Sequence, residues 1–200
     1  MEGWGHRIQG LAPAGGCSPL SRSALVDVAA PGPGEVVVGL GCGGCREAAA
    51  VAARVAPGGR VVIVLTRDEE LDFGADPAGP TRPLVVRGDV AATGLRSAIA
   101  DVVISNCSTT ARADRPAMLR ELHRVLRPGG RLVASELVAL HPARHGAYRR
   151  ARAADALSEA EYLELVHGAG FERTTLLQRT APYEEHGRLV LSLTIGARRG

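Results

Sequence analysis

A short stretch near the start of the chain combines three glycines with two cysteines. It follows an apolar run that ends at Leu40 and leads into the alanine-rich segment 47–55, an order that predicts a strand, a tight turn and the start of a helix. Glycines at such a turn let a cofactor approach the backbone closely, although a turn that binds nothing would also use them. We favour a cofactor site, formed by Gly41, Cys42, Gly43 and Gly44.

Thiols near this turn suggest a second chemistry. Cys42 and Cys45 lie at the start of the predicted helix, whose amino terminus lowers thiol pKa values. Cys107 ends another buried strand, which the fold should place beside the first. Converging thiolates bind soft ions such as trivalent arsenic, zinc or copper(I). In the simpler alternative, Cys107 packs as a small apolar residue and the other two are incidental to a small-residue turn.

Apolar runs and helix signals alternate along the chain, which predicts the elements that position these residues. Five strands are expected, at 35–40, 60–65, 84–87, 101–107 and 131–137. Helices are expected at 45–55, at 115–126 after a cap at Asp114, and at 159–167 after a capping box of Ser158 and Glu161. Two further strands, 171–180 and 188–197, should pair antiparallel because no crossover helix fits between them.

These elements predict an α/β fold, a doubly wound and mostly parallel sheet in the order 3-2-1-4-5 with an antiparallel carboxyl-terminal strand pair. The 200 residues, 46% of them hydrophobic, are enough for one domain with a sizeable core. We expect an amino-terminal loop or lid over residues 1–34, with a short helical piece near 23–29, and a single α/β domain over 35–200. Residues 66–83 lack an amphipathic pattern and are predicted to form a loop.

Composition also restricts the partners. No window approaches the roughly 18 to 20 continuous apolar residues of a membrane span, and the first residues lack a signal-peptide pattern, so we expect a cytoplasmic location and no membrane partner. The net charge is +3 and the chain contains no lysine. The arginines near 144–152 are interpreted as a solvated face, so we expect a small-molecule substrate and no nucleic acid. The sequence names no protein partner.

Several motifs, in this order, resemble those of class I S-adenosylmethionine-dependent methyltransferases, which have a Rossmann-like fold. They are Gly-Leu-Gly-Cys-Gly-Gly at 39–44, the strand 101–106 and Leu-Arg-Pro-Gly-Gly-Arg-Leu at 126–132. Within that superfamily the chain is most similar to arsenite methyltransferases, through Ile-Ser-Asn-Cys at 104–107, Gly-Cys-Ser-Pro at 16–19 and the helix start at 156–162.

The resemblance implies S-adenosylmethionine as the cofactor, and methyl transfer to a soft nucleophile such as a thiol-bound arsenical. It adds three residues to the proposed cofactor site. Asp89 matches an acid that contacts the adenine amino group, and Ser105 and Asn106 belong to the fourth-strand motif. It also matches Cys17 and Cys107 to two metalloid-binding thiols, so that the proposed metal or metalloid site comprises Cys17, Cys42, Cys45 and Cys107. No residue is assigned a catalytic role.

Some positions depart from the family pattern. Gly39 and Leu65 stand where the resemblance implies carboxylates, the second of which holds the ribose hydroxyls. Cys45 replaces the last motif glycine, the helix after the second strand is missing, and a late substrate-binding cysteine is replaced near Arg152. We therefore expect weak cofactor binding, and Leu65→Asp should tighten it if the pocket is otherwise whole.

Two hypotheses remain open at this point. The first is a methyltransferase; the second is a degenerate member of the fold that has lost methyl transfer and serves as a metal- or metalloid-thiolate protein, a partner subunit or a catalyst of another reaction. Glu136, at the end of the fifth strand, is a candidate for facing the substrate cavity, with an ordinary helix or loop contact as the alternative.

Overall fold

The computed structural model describes residues 22–40, 44–66, 82–106, 114–141, 156–185 and 188–200. The helices in these ranges are α1 (Arg22–Ala29), α2 (Gly44–Val55), α3 (Arg115–Val125) and α4 (Glu159–Gly168). The strands are β1 (Val36–Leu40), β2 (Arg60–Leu65), β3 (Leu84–Arg87), β4 (Ala100–Asn106), β5 (Leu126–Ala139), β6 (Phe171–Arg179), β7 (Tyr183–Glu185) and β8 (Arg188–Arg199).

These strands form one sheet in the order β3-β2-β1-β4-β5-β8-β6, with β7 also paired to β8. The first five strands pair in parallel, whereas β8 runs antiparallel to both β5 and β6. The predicted 3-2-1-4-5 order and the antiparallel pair are therefore confirmed, and the short strand β7 is an addition. None of the described helices is long and apolar enough to cross a membrane.

The main difference from the predicted elements is the length of β5. It begins at Leu126, directly after α3, instead of at residue 131, because Leu126 pairs with Ala100 and a register shift then absorbs the Pro-Gly-Gly turn before Arg131 pairs with Val102. The predicted loop over 66–83 and the connector before residue 156 lie largely outside the described residues.

Alternating side chains give the sheet two apolar faces. One face carries residues such as Val38, Val103 and Leu132 against α3 and α4. The opposite face carries Val37, Val102 and Val133 against α1 and α2. Because both faces of the parallel strands are covered, the strands are continuous apolar runs in sequence, which is why they could be predicted.

Helix α1 contributes to the second core. Leu25, Val26 and Ala29 are buried there. Its carboxyl end is held by Arg131, which donates to the carbonyls of Ala29 and Ala30 and forms two 2.8 Å bonds with the Glu35 carboxylate. Residues 22–34 thus pack on the sheet, and the predicted lid over 1–34 stays a prediction because residues 1–21 lie outside the described part.

Both predicted helix caps are present. The Asp114 side chain accepts a hydrogen bond from the backbone N–H of Ala117 at the start of α3. At α4 the Ser158 hydroxyl and the Glu161 carboxylate exchange hydrogen bonds with each other's backbone N–H groups, which is a complete capping box.

A buried carboxylate ties α3 to the loop before β4. Glu121 is 9% exposed and accepts hydrogen bonds from the backbone N–H and hydroxyl of Thr93, at 2.9 and 2.6 Å. Arg124 donates to both of its oxygens at 2.7 Å and also binds Ser97 and the Leu95 carbonyl. The hydrogen bonds from Arg124 are the main cause that lowers the pKa of Glu121 to about 2. Burial acts to raise this pKa, and the hydrogen bonds from Thr93 lower it further.

Glu121→Gln should destabilise the fold by roughly 2 to 3 kcal/mol at pH 7, since the lowered pKa measures how strongly the folded state favours the carboxylate. This stabilisation is fully present above the ordinary pKa of 4.5 and is lost as the pH falls towards about 2. Urea unfolding at pH 7, 4 and 3 should therefore show that the difference in free energy of unfolding between parent and variant becomes smaller as the pH falls. Glu164→Gln, at an exposed position of α4, is the control. A difference that stays constant down to pH 3 would contradict the lowered pKa of Glu121.

Candidate functional site

The candidate site lies at the carboxyl edge of the parallel strands, where doubly wound sheets bind ligands. The chain leaves β1 after Leu40 and α2 begins at Gly44. Leu40 is paired with Val64 of β2 on one side and with Ser105 of β4 on the other. The glycine-rich sequence therefore follows a strand that ends between β2 and β4. Gly41, Cys42 and Gly43 themselves lie outside the described residues.

Ser105 and Asn106 both reach this edge, but they face opposite sides of the sheet. Ser105 lies on the face of Leu40 and Ala134, under α3 and α4, and is fully buried. Its Oγ finds no hydrogen-bond partner in the described part of the chain. Asn106 is half-buried and shares the α1 and α2 face with Ser135 of β5. Only Asn106 is thus on the same face as the helix that follows the glycine turn.

Asp89 follows β3 and is exposed. Its Oδ1 accepts a 2.9 Å hydrogen bond from the backbone N–H of Ala91, which fixes the carboxylate in a turn. Next to it, Gly88 N–H donates to the Leu65 carbonyl at 2.9 Å. The acid therefore stands at the end of β2 and β3 with its second oxygen available to a ligand donor, a position compatible with its predicted role at the adenine.

The two positions that depart from the family pattern are enclosed by apolar groups. A Cβ added at Gly39 would lie 3.0 Å from Cδ1 of Ile63, its pairing partner in β2. Leu65 is fully buried. Ile63 and Leu65 follow alternate positions of β2 and so share one face. Both positions at which the family pattern has a carboxylate, one of them at the ribose, therefore have apolar surroundings, and the role of Asp89 at the adenine stays a prediction.

The thiol site stays a prediction. Cys17, Cys42 and Cys107 lie outside the described residues, and the side chain of Cys45 is likewise not described although its backbone belongs to α2. Within the described ranges, no group of three or more histidine, cysteine, aspartate or glutamate side chains is arranged to hold a metal ion.

Glu136 is buried, with 1% of its surface exposed. It is paired with Leu193 of β8 and lies on the face of Leu132, Ala134 and Val138. That face is the one that α3 and α4 cover, so the sheet core surrounds this carboxylate.

A line of uncharged polar residues, which was not predicted from the sequence, crosses four strands. Register pairs Asn106 with Ser135, Ser135 with Thr194, and Thr194 with Gln178, so all four side chains share the α1 and α2 face. We call these four residues the polar row. Asn106, Ser135 and Thr194 each follow or interrupt a mainly apolar stretch of their strand, which was the available signal. The alignment of the row depends on pairings between residues far apart in the chain.

The shifted pKa values in the described part belong to groups away from this edge. Burial would raise the pKa of Glu35, but hydrogen bonds from Arg131 and from Gly32 N–H bring it below its usual value. Burial and the neighbouring Arg199 lower the pKa of His123, which packs edge-on against Phe171. These groups hold the amino ends of the strands and the end of α3, and none of them lies at the candidate site.

Residues 38–134 match the family model of a methyltransferase domain. This span runs from β1 through the glycine turn and the end of β4 into β5. This span, just under half of the 200 residues, is similar to a methyltransferase domain.

Curated relatives of this chain include two arsenite methyltransferases. One, from Halobacterium salinarum, is 30% identical over 57% of this chain and 30% of its own length. The other, from Aquipseudomonas alcaligenes, is 32% identical over 62% of this chain and 37% of its own length. The chain thus spans about a third of the length of these relatives.

A similar fold is found in the crystal structure of an arsenic(III) S-adenosylmethionine methyltransferase from Chlamydomonas reinhardtii. The TM-score is 0.74 at 24% identity, covering 85% of this chain and 65% of the other. At that identity the likeness concerns the fold alone.

Proposed function

We propose that this chain is a methyltransferase that binds S-adenosylmethionine at the carboxyl edge of β1, β2 and β3 and methylates a soft nucleophile, with an arsenical as the favoured substrate. The observation that supports the proposal is that β1, which the glycine-rich sequence follows, ends at Leu40 between β2 and β4, within the span that matches the methyltransferase domain. The two arsenite methyltransferase relatives support the arsenical substrate.

The chain's own residues would bind and align the reactants. Asp89 would accept a hydrogen bond from the adenine amino group, and the glycines after Leu40 would let the backbone approach the cofactor. When bound, the cofactor supplies an electrophilic methyl group, so the transfer needs mainly alignment of the acceptor and exclusion of water. Cys17, Cys42, Cys45 and Cys107 remain the proposed thiol ligands of the arsenical.

Cofactor binding should be detectable but weak. If no carboxylate contacts the ribose, two charge-assisted hydrogen bonds of about 1.5 to 3 kcal/mol each are missing. Their loss should weaken cofactor binding roughly a hundredfold or more, compared with a methyltransferase that has them. Calorimetric titration with S-adenosylmethionine and S-adenosylhomocysteine measures this directly. Tight binding would show that an acid outside the described residues holds the ribose.

Asp89→Asn should weaken S-adenosylhomocysteine binding further, because an amide is a poorer acceptor than a carboxylate. Asp27→Asn, at an exposed acid of α1 paired with Arg54, is the matched control and should leave binding unchanged. If neither cofactor form binds and arsenite is not methylated, the proposal fails and the non-catalytic alternative takes its place. The comparisons with methyltransferases do not favour that alternative.

A further inference from the structure

A groove between α4 and the edge strand β6 encloses a cavity of about 520 Å³, a volume typical of small-molecule sites. Three leucines form its apolar surface: Leu163 of α4, Leu176 of β6 and Leu193 of β8. Leu193 is fully buried, whereas Leu176 is 47% exposed. The strands β8 and β6 lie two and three places beyond β4 in the sheet, so the groove is separate from the ends of β1, β2 and β3.

The backbone of β6 is irregular where it lines the groove. In a regular strand, successive side chains point to opposite faces. Here three consecutive residues, Glu172, Arg173 and Thr174, all line the same cavity. The register with β8 shifts between Glu172 and Thr175, and Arg173 has a φ of +50°, which is unfavourable for a residue with a Cβ. Bulges that redirect side chains, and strained residues of this kind, are common at functional sites.

The redirected residues bring two opposite charges to one end of the groove. Glu172 and Arg173 are both exposed, and neither forms an ion pair with another described residue. As neighbours in the chain, their Cα atoms are about 3.8 Å apart. The acid at the other end of the groove, Glu159, is already paired with Arg179. The groove therefore combines an apolar surface with one uncompensated anion and one uncompensated cation side by side.

We propose that this groove binds a small zwitterion with an apolar side chain, of the α-amino acid class. The carboxylate of the ligand binds Arg173, its ammonium group binds Glu172, and its side chain covers the three leucines. A ligand with a single charge would leave the second protein charge uncompensated, and a purely apolar ligand would leave both. This site does not depend on the proposed methyl transfer.

Calorimetric titration with L-phenylalanine tests the proposal. The parent protein should bind it, and should bind L-alanine more weakly because a methyl group covers less of the apolar surface. Two analogues remove one charge each: hydrocinnamate lacks the ammonium group, and phenylalanine amide lacks the carboxylate. Each should bind about tenfold more weakly or worse, as expected for the loss of one charge-assisted hydrogen bond.

Two changes at Arg173 separate binding from folding. Arg173→Gln should weaken L-phenylalanine binding about tenfold. Arg173→Gly should weaken it likewise and also raise the melting temperature, because glycine adopts a φ of +50° without a steric penalty. Arg120→Gln, at an exposed arginine of α3, is the matched control and should change neither binding nor melting temperature.

The possible outcomes are distinct from those that test methyl transfer. Binding that persists with S-adenosylhomocysteine present and is weakened by Arg173→Gln supports the inference, whether or not the protein methylates arsenite. Displacement by S-adenosylhomocysteine would place the amino acid at the cofactor edge and overturn it. No binding to the parent, or equal binding to Arg173→Gln, would overturn it as well. Equally tight binding of hydrocinnamate would show a site for an apolar anion and refute the zwitterion.

Discussion

Leu65→Asp is expected to unfold or severely destabilise the protein rather than restore cofactor binding. The structure changes the result expected from sequence, because Leu65 is fully buried and among the largest side chains of the interior. Replacing a buried leucine by a smaller residue costs about 2 to 5 kcal/mol. Burying a carboxylate there adds a further penalty, so the total should reach or exceed about 4 kcal/mol. That is a large part of the roughly 5 to 15 kcal/mol that stabilises a typical domain.

Urea unfolding would measure the loss, and two variants would separate its parts. Leu65→Ala creates the cavity without the charge and should be less damaging than Leu65→Asp. Thr66→Asp places a carboxylate at the next, half-buried position and should be tolerated far better. If Leu65→Asp kept the parent stability and tightened S-adenosylhomocysteine binding, the side chain at position 65 would face the cofactor and the apolar ribose end described above would be wrong.

The buried strands could be predicted from sequence because their signals are local. The run 61–65 is wholly apolar, and 102–104 is the apolar centre of β4, as expected for strands covered on both faces. The turns and caps that bound them, at Pro57–Gly59, Asp114 and Ser158, also depend on neighbouring residues only. The right-handed crossover rule then restricts the order of the strands, and the observed sheet follows it.

The site could be predicted only in part, because its details depend on register and burial. That Ser105 and Asn106 end a strand is visible in sequence, but which of them faces α2 depends on the pairing with β1 and β5. The polar row joins residues from positions 106 to 194, on parallel and antiparallel neighbours. A shift of one residue in any of these pairings would move a side chain to the other face, and the sequence alone does not fix that shift.

The two Pro-Gly-Gly turns show a further detail that sequence signals leave open, namely which glycine is indispensable. In each turn the first glycine has a positive φ, +85° at Gly58 and +76° at Gly129, and nothing lies within 4 Å of a Cβ added there. The second, Gly59 or Gly130, has no room for a side chain. A Cβ at Gly130 would lie 2.8 Å from the Arg127 carbonyl oxygen. The motif thus needs one glycine for its backbone angle and the other for close packing.

Gly59→Ala should also be strongly destabilising. A Cβ at Gly59 would overlap the Val55 side chain and carbonyl at the end of α2 and lie 2.6 Å from the Glu35 carbonyl oxygen. The two carbonyl oxygens are backbone atoms held in place by hydrogen bonds: the Val55 carbonyl accepts from the N–H groups of Gly34 and Gly59, and the Glu35 carbonyl accepts from Arg60 N–H. The expected loss is about 3 kcal/mol or more, at the upper end for overpacking.

Matched glycines of the same region make the Gly59→Ala test specific. Gly58→Ala should cost only about 1 to 2 kcal/mol, the penalty of a left-handed backbone for an L-residue. Gly32→Ala should be nearly neutral, since nothing lies within 4 Å of its added Cβ and its φ is not in the left-handed range. Urea midpoints that decrease in the order Gly32→Ala, Gly58→Ala, Gly59→Ala would support the close approach of the end of α2 to the amino ends of β1 and β2. Equal losses at positions 58 and 59 would refute it, because the turn would then need only backbone freedom.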